Sequence, residues 1–97
     1  MARAFVLNAG DNVATLVDPA KVGEAVTLVG AGSGSVASAG QIAFGHKMAT
    51  RAIGKGQQII KYGKVIGQAT QAIAAGEHVH VHNVEALRAR GDKKSAS

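Results

Sequence analysis

A glycine-centred pattern recurs along the chain and strongly limits what it can fold into. Each copy has the form apolar-x-x-Gly-x-x-apolar, and the copies are Ala20-x-x-Gly23-x-x-Val26, Ile42-x-x-Gly45-x-x-Met48, Ile53-x-x-Gly56-x-x-Ile59 and Ile73-x-x-Gly76-x-x-Val79. Because glycine tolerates the positive φ of a tight turn, we interpret each copy as a core residue, a turn and the start of a strand. Spacings of about 10–20 residues are too short for solenoid repeats and favour a small all-β domain of short strands.

The same pattern, together with the alternation of apolar residues, predicts where the strands lie. We expect two short helical turns, at 46–52 and 84–90, and a flexible loop over the glycine-rich residues 30–40. No amphipathic helix follows that loop, so it lacks the helix N-terminus of a dinucleotide-binding motif. Residues 1–91 are predicted to form one domain, and residues 92–97 a disordered basic tail. The predicted strands are 4–8, 14–17, 25–29, 41–44, 57–62, 64–69 and 78–83.

The composition argues against several classes of protein. The 97 residues contain no cysteine, which excludes disulfides and any zinc–thiolate site or iron–sulfur cluster held by this chain alone. No stretch approaches the roughly 20 apolar residues of a membrane span, and no export signal is evident, so we expect a cytoplasmic protein that binds no membrane. The net charge is +5, but the basic residues are scattered and only 3% of residues are aromatic. We therefore expect an anionic small molecule or an acidic protein as the partner, and no nucleic acid.

Three of the four histidines lie in one tract, Gly76-Glu77-His78-Val79-His80-Val81-His82-Asn83. Side chains on a strand alternate between its faces, so the three histidines would project to one side of a sheet. Imidazole titrates near neutral pH and is the commonest metal ligand, so we interpret this face as a functional site. The alternative is the polar outer face of a sheet, without a chemical role.

Several motifs occur in an order and spacing that resemble a known family. They are Asp11-Asn12-Val13-Ala14, Gly45-His46-Lys47-Met48-Ala49, Ile60-Lys61-Tyr62-Gly63, Val65-Ile66-Gly67 and the histidine tract. They resemble the SAF-type, β-clip domain of altronate and galactarate dehydratases, and also a separate small subunit of this type in sulfolactate sulfo-lyase. The resemblance covers about residues 6–91 and implies a β-clip fold for this chain.

The resemblance implies a metal-dependent lyase that eliminates water, or sulfite, from a hydroxy acid. In the dehydratases a much larger domain carries most of the active site, so this chain would be a small subunit or an excised domain. We then expect it to be folded but inactive by itself, to associate with a large dehydratase subunit, and to self-associate without one. The substrate would be a sugar acid of the altronate or galactarate type. Two alternatives stay open, a sulfolactate sulfo-lyase small subunit and a non-catalytic module that binds a sugar acid or a partner protein.

The resemblance also implies roles for the histidines. Elimination removes the proton α to a carboxylate, which needs a base of near-neutral pKa and stabilisation of negative charge. His46, His80 and His82 are the candidate acid–base residues, and His80 and His82 are also candidate ligands of Fe(II) or Mn(II). His78 is the weakest candidate of the tract because relatives often lack it. Fe(II) and Mn(II) sites usually mix imidazole with carboxylate, and Glu77 would point away from His78, so we expect a partner subunit to complete the site and this chain alone to bind no metal.

Three further residues are candidate substrate-binding residues. Lys47 and Lys61 are expected to hold the carboxylate of the substrate, since a cation stabilises the charge that develops there. Asn83 is expected to hydrogen-bond a substrate hydroxyl. For the two lysines the alternative is ordinary surface charge.

Overall fold

The computed structural model describes residues 2–86, and these residues form strands and turns with no helix. This confirms the all-β prediction. Residues 2–86 therefore hold no helix that is long and apolar enough to cross a membrane. The predicted tail, residues 92–97, lies outside the described residues. The strands are β1 (Ala2–Val6), β2 (Val13–Leu16), β3 (Ala25–Gly30), β4 (Ser35–Ala37), β5 (Lys47–Ala49), β6 (Gln58–Lys61), β7 (Lys64–Ala69), β8 (His78–Val79) and β9 (Val84–Ala86).

The strands form two sheets. The larger sheet has the order β4-β3-β1-β2-β5-β8, and the smaller one has the order β6-β7-β9. Only β1 and β3 pair in parallel among these strands; the other pairings are antiparallel. In the larger sheet β5 lies between β2 and β8, so that Lys47 pairs with Thr15 on one side and with Val79 on the other. This pairing brings the segment that follows His46 beside the histidine tract.

Most of the predicted strands are present with small shifts of their ends. The strand predicted at 64–69 coincides with β7, and those predicted at 4–8, 14–17, 25–29 and 57–62 overlap β1, β2, β3 and β6. The strand predicted at 41–44 is wrong, since Ile42 forms only an isolated bridge to Ala20 before the chain turns.

Three segments form strands that the sequence did not predict. The glycine-rich segment 30–40 contains β4, which pairs with β3. The helical turn predicted at 46–52 is instead β5, and the part of 84–90 that the structure describes is β9, so both helix predictions are wrong there. In each case a neighbouring strand supplies backbone hydrogen bonds, whereas a single helical turn is unstable without such support.

The glycine-centred repeat forms four equivalent turns, as predicted. The turn glycines Gly23, Gly45, Gly56 and Gly76 have φ of 80°, 84°, 87° and 89°. Each is the third residue of a four-residue turn, where a type II turn requires positive φ. The residue after each glycine donates its backbone N–H to the carbonyl three residues earlier: Glu24 to Lys21, His46 to Ala43, Gln57 to Gly54 and Glu77 to Ala74, at 3.0–3.1 Å.

The four copies divide between two hydrophobic cores. The first apolar residues of the copies pair as two isolated bridges, Ala20 with Ile42 and Ile53 with Ile73. The first two copies place their apolar residues in one core with Ala4 and Leu16, and the last two place theirs in a second core. The repeat therefore builds two packed halves, and β5 contributes to both, because Met48 lies in the first core and Ala49 in the second.

The motif Asp11-Asn12 attaches the β6–β7 hairpin to the rest of the domain. The buried Asp11 carboxylate accepts hydrogen bonds from the backbone N–H groups of Tyr62 (2.9 Å) and Gly63 (2.8 Å), which form the tip of the hairpin at φ of 58° and 72°. Asn12 accepts one hydrogen bond from Ile60 N and donates one to Gln58 O, both at 2.8 Å. These bonds fix the strand that carries Lys61, so the motif has a structural role.

Candidate functional site

The histidine tract is a strand only at β8 and turns immediately afterwards. The backbone N–H of Asn83 donates to the carbonyl of His80 at 3.0 Å, which closes a turn over 80–83. Val81 is therefore 80% exposed and does not face the core. The prediction of one continuous strand over 78–83 is wrong from residue 80 onward.

The four histidines nevertheless lie together. The ring centroids are 5.0 Å apart for His46 and His78, 5.0 Å for His46 and His80, and 5.2 Å for His78 and His80. The His78 and His80 rings are stacked at 11°, and His82 lies 5.6 Å from His78. We call these four side chains the histidine cluster. His78, the candidate ranked weakest from sequence, contacts each of the other three rings.

His46 enters the cluster from the second copy of the repeat, where it departs from a structural pattern. In the other three copies the fourth turn residue is Glu24, Gln57 or Glu77. The side-chain oxygen of that residue accepts a hydrogen bond from the first backbone N–H of its own turn: Lys21 (2.9 Å), Gly54 (2.5 Å) and Ala74 (2.5 Å). In the second copy this position holds His46, whose Nδ1 lies 2.9 Å from Nε2 of His78. His46 thus occupies the position whose side chain closes the turn in the other copies, but its own side chain contacts another imidazole.

Three of the four histidines have the spacing of metal ligands. Ring nitrogens of His46, His78 and His80 all lie within 4.8 Å of one another. His82 is not a member of this group, so the predicted ligand pair, His80 and His82, is not the set that the fold brings closest. Imidazole nitrogens suit first-row divalent transition metals, Fe(II) among them. Fe(II) and Mn(II) sites usually add carboxylates, and the nearby Glu77 already accepts a hydrogen bond from Ala74 N.

The surroundings of His78 favour its uncharged form. Burial lowers the pKa of His78, and the positive charges of His46, His80, His82 and Lys47 lower it further. Only the neutral ring can accept a proton or bind a metal ion, so this shift leaves His78 in the chemically useful form at neutral pH.

Lys47 and His80 meet at one shallow pocket. The pocket encloses about 250 Å³, and its other lining residues are apolar: Ile59, Ile66, Val79, Val81, Val84 and Ala86. Burial lowers the pKa of Lys47, and the positive charge of Lys61 lowers it further. Lys61 Nζ lies 4.7 Å from the centre of the Tyr62 ring. Of the two predicted anion-binding lysines, Lys47 therefore lies beside the cluster, and Lys61 lies on β6 close enough to influence Lys47.

Comparison with known proteins identifies the family of this chain. The model of the altronate/galactarate dehydratase SAF domain matches residues 2–87. The chain belongs to this family. The family motifs identified from sequence therefore lie in an SAF domain, where one of them, Asp11-Asn12, holds the β6–β7 hairpin and two others supply the histidine cluster.

Curated relatives of this SAF domain are dehydratases and a sulfo-lyase. Altronate dehydratase of Escherichia coli is 43% identical over 77 residues, which are 79% of this chain and 15% of the relative. Altronate dehydratase of Bacillus subtilis is 39% identical over 75 residues, 77% of this chain and 14% of the relative. (2R)-sulfolactate sulfo-lyase subunit alpha of Chromohalobacter salexigens is 49% identical over 47 residues, 48% of this chain and 50% of the relative. The match thus spans half or less of the length of each of these relatives.

Asn83 of the SAF domain is placed differently from the prediction. Its side chain is fully buried; Oδ1 accepts from His80 N at 3.0 Å, and Nδ2 donates to His78 O at 2.9 Å. This placement does not suit the predicted contact with a substrate hydroxyl. Asn83 instead ties the backbones of two cluster histidines together, and such side-chain-to-backbone bonds compete with continuation of the strand.

Two findings were not predicted from sequence: the contacts of His78 with the other three rings, and the departure of His46 from the turn pattern. A signal for His46 was present in the sequence. Aligning the four copies of the repeat places it with Glu24, Gln57 and Glu77, and only His46 breaks the carboxylate-or-amide pattern. No comparable signal existed for His78, because its position depends on how β8 pairs with β5.

Proposed function

We propose that this chain is the SAF part of a metal-dependent lyase that eliminates water from an altronate- or galactarate-type hydroxy acid. The observation that carries the proposal is the histidine cluster next to Lys47 in a domain of a dehydratase family. A larger catalytic part would complete the enzyme. In support, the matched region is only 14–15% of the length of the altronate dehydratases.

The chain's own residues suit the first step of such an elimination. The proton α to a carboxylate is weakly acidic, and its removal needs a neutral base. His46, His80 and His82 are the candidates for the base and for the acid that protonates the leaving hydroxyl. Lys47 and Lys61 would hold the substrate carboxylate. The lowered pKa of Lys47 accords with a binding site for a negative charge, because an anion at that site would compensate the burial and the neighbouring cation.

The proposed cofactor is Fe(II) or Mn(II). Ligands would come from the cluster, where the imidazoles of His46, His78 and His80 fit a divalent transition ion, and carboxylates from the larger part would complete the set. A ring that binds the ion cannot act as the base as well, so His82 is the acid–base candidate that remains when all three are ligands. A bound ion would stabilise negative charge on the substrate carboxylate.

One specific observation favours a second reaction. The sulfo-lyase alpha subunit is the relative with 49% identity. In that reaction the same α-proton leaves, but the β-substituent departs as sulfite. Both eliminations form an enol that becomes a 2-oxo acid, so the release of sulfite is what distinguishes the two reactions. A non-catalytic binding module is the remaining alternative, and it predicts that the histidines are irrelevant to turnover.

Reconstitution tests the proposal. The chain is combined with a large dehydratase polypeptide of this family and with Fe(II) or Mn(II), and altronate, galactarate and sulfolactate are offered in turn. We expect a 2-oxo acid from a sugar acid, no sulfite, and no turnover by the chain alone. Changing His80 or His82 to Gln should lower the rate by roughly 10²–10⁴, the usual worth of an acid–base group. Sulfite release would assign the second reaction, and unchanged rates in both variants would make the domain a binding module.

A further inference from the structure

Three side chains of the histidine cluster converge without a carboxylate among them. Ring nitrogens of His46, His78 and His80 lie within 4.8 Å of one another, and the closest pair is separated by 2.9 Å. Donor atoms on one tetrahedral zinc ion lie roughly 3.4 Å apart, because each zinc–nitrogen bond is about 2.0–2.1 Å long. One separation is shorter than that value and 4.8 Å bounds the others, so the three rings lie close enough together to share one ion.

The backbone at each of these histidines is held by a different part of the fold. His46 closes a type II turn, and its carbonyl accepts from Leu16 N at 2.9 Å. His78 lies on β8 and pairs with Met48 of β5. His80 starts the turn over 80–83, where the buried Asn83 bonds its backbone N–H. The three ligand positions are therefore set before any ion arrives, which reduces the ordering cost of binding.

We infer that this chain by itself forms a three-imidazole site for a borderline divalent ion of the Zn²⁺ or Co²⁺ type, with His46, His78 and His80 as ligands. Imidazole donors suit these ions, whereas Mg²⁺ and Ca²⁺ need oxygen ligands. Three protein ligands leave a tetrahedral ion with one open position, as in catalytic zinc sites. The inference replaces two sequence expectations: His82 lies outside the ligand set, and the chain needs no partner to bind an ion.

Titration of the full chain, prepared without a histidine tag, tests the inference. Zn²⁺ binding is followed by isothermal titration calorimetry, and Co²⁺ binding by its visible absorption. We expect one ion per chain. Changing His46, His78 or His80 to Gln should each weaken binding by at least the roughly 10–100-fold that the loss of an outer-shell partner costs in known sites. Circular dichroism establishes that each variant is folded.

His82→Gln is the matched control, because this ring belongs to the cluster but not to the ligand group. It should retain Zn²⁺ affinity within about threefold, since it removes no ligand in this assignment. Imidazole NMR signals provide a second measurement that needs no substitution: Zn²⁺ should shift the ring nitrogens of His46, His78 and His80 most. Equal losses in all four variants, or no binding by the unmodified chain at millimolar ion, would overturn the inference.

The inference deepens the proposed function and rests on it only in treating the cluster as the site. Binding is measured without substrate or partner, so a failed reconstitution of lyase activity leaves the metal site standing. Conversely, a chain that binds no ion but supports turnover in the complex would refute this ligand set and retain the lyase.

Discussion

At the scale of single residues, His46 gives the clearest indication that the cluster serves function. Gln57 and Glu77 occupy the equivalent position in other copies of the repeat and close their turns with a side-chain hydrogen bond to backbone. His46 contacts His78 instead. Residues at functional sites are often less favourable for stability than the alternatives. Replacing His46 should therefore raise the stability of the fold and lower activity.

His46→Gln should therefore stabilise the fold while it removes the imidazole. Glutamine is the residue that closes the third turn, and a new side-chain hydrogen bond contributes about 0.5–1.5 kcal/mol. Urea unfolding measures the change. Gln57→Ala is the reverse control, because it removes the bond that Gln57 makes with Gly54 N and should cost a similar amount. Destabilisation of His46→Gln by more than about 1 kcal/mol would show that His46 is itself structural.

Asn83→Ala should destabilise the turn over 80–83 by about 2–3 kcal/mol. The substitution leaves the N–H of His80 and the carbonyl of His78 without the amide that now bonds them, and unmade hydrogen bonds at a buried group cost about 1–3 kcal/mol. Asn83→Asp keeps the acceptor for His80 but places a buried carboxylate oxygen against the carbonyl of His78, so at neutral pH it should cost at least as much. Thermal unfolding compares the two. Equal and small effects would mean that the turn forms without the amide.

The lowered pKa of His78 predicts how the stability of the metal-free chain depends on pH. Its ordinary pKa is 6.5, and burial followed by the neighbouring charges lowers it in the folded state. The unfolded chain therefore takes up the proton first, and this residue lowers the free energy of unfolding as pH falls through 6.5. Above pH 6.5 the His78 ring is neutral in both the folded and the unfolded chain, and the effect vanishes. Urea midpoints in the presence of a chelator, from pH 7.5 to about 5, measure it.

His78→Gln is the control for that profile, because glutamine does not titrate. The stability of the unmodified chain relative to this variant should decrease toward acid pH. Parallel profiles of the two proteins would contradict the assignment.

At the scale of elements, the four turns are similar in backbone but differ in their surroundings. Gly23 and Gly76 have φ of 80° and 89°, so a side chain is strained at either position. A Cβ at Gly76 would lie 2.1 Å from the carbonyl oxygen of Ala37, whereas nothing lies within 4 Å of one at Gly23. The fourth turn is therefore packed against the end of β4, which belongs to the larger sheet.

Substitution by alanine should separate these two effects. Gly23→Ala meets only the backbone strain of about 1–2 kcal/mol. Gly76→Ala adds a clash with backbone, so we expect a loss of more than about 3 kcal/mol or failure to fold. Chemical unfolding of both variants gives the comparison. If they were equally stable, the close approach of Ala37 to Gly76 would be wrong.

At the scale of the whole molecule, large apolar side chains are exposed next to the histidine cluster. Phe44 precedes the Gly45-His46 turn end and is 69% exposed, and Val81 lies between His80 and His82. An exposed apolar rim around a polar site is typical of a surface that another polypeptide covers. These two exposed side chains lie within two residues of His46 and His80 in the sequence, and they support the proposed assembly with a larger polypeptide.

Phe44→Ser and Val81→Ser should each weaken assembly with the large polypeptide by about tenfold or more and leave folding unchanged. Truncating a buried interface anchor typically costs more than about 1 kcal/mol, and 1.4 kcal/mol is tenfold. Leu7→Ser is the control, since Leu7 is 53% exposed but follows β1, which β2 and β5 separate from β8. Sedimentation velocity measures the complex. Equal weakening by all three substitutions would place the interface elsewhere.

Local chemistry made part of the structure predictable from sequence. A positive φ at glycine depends on that residue alone, and the burial of apolar residues at a fixed spacing depends on a short stretch of sequence. The four turns and the all-β class could therefore be predicted from the repeat. The histidine tract was visible for the same reason. That His46, from a separate motif, lies near the tract was also predicted, whereas the functional role of these histidines stays a prediction.

Tertiary structure decided what depends on partners distant in the chain. β4, β5 and β9 are strands only because β3, β2 and β7 lie beside them and supply hydrogen bonds, which no local propensity records. The buried amide of Asn83 ended the strand after Val79. The pairing of β5 with β8 then brought His46 to His78. Long-range strand pairing therefore decided which histidines lie together, whereas the sequence showed only that the histidines are present.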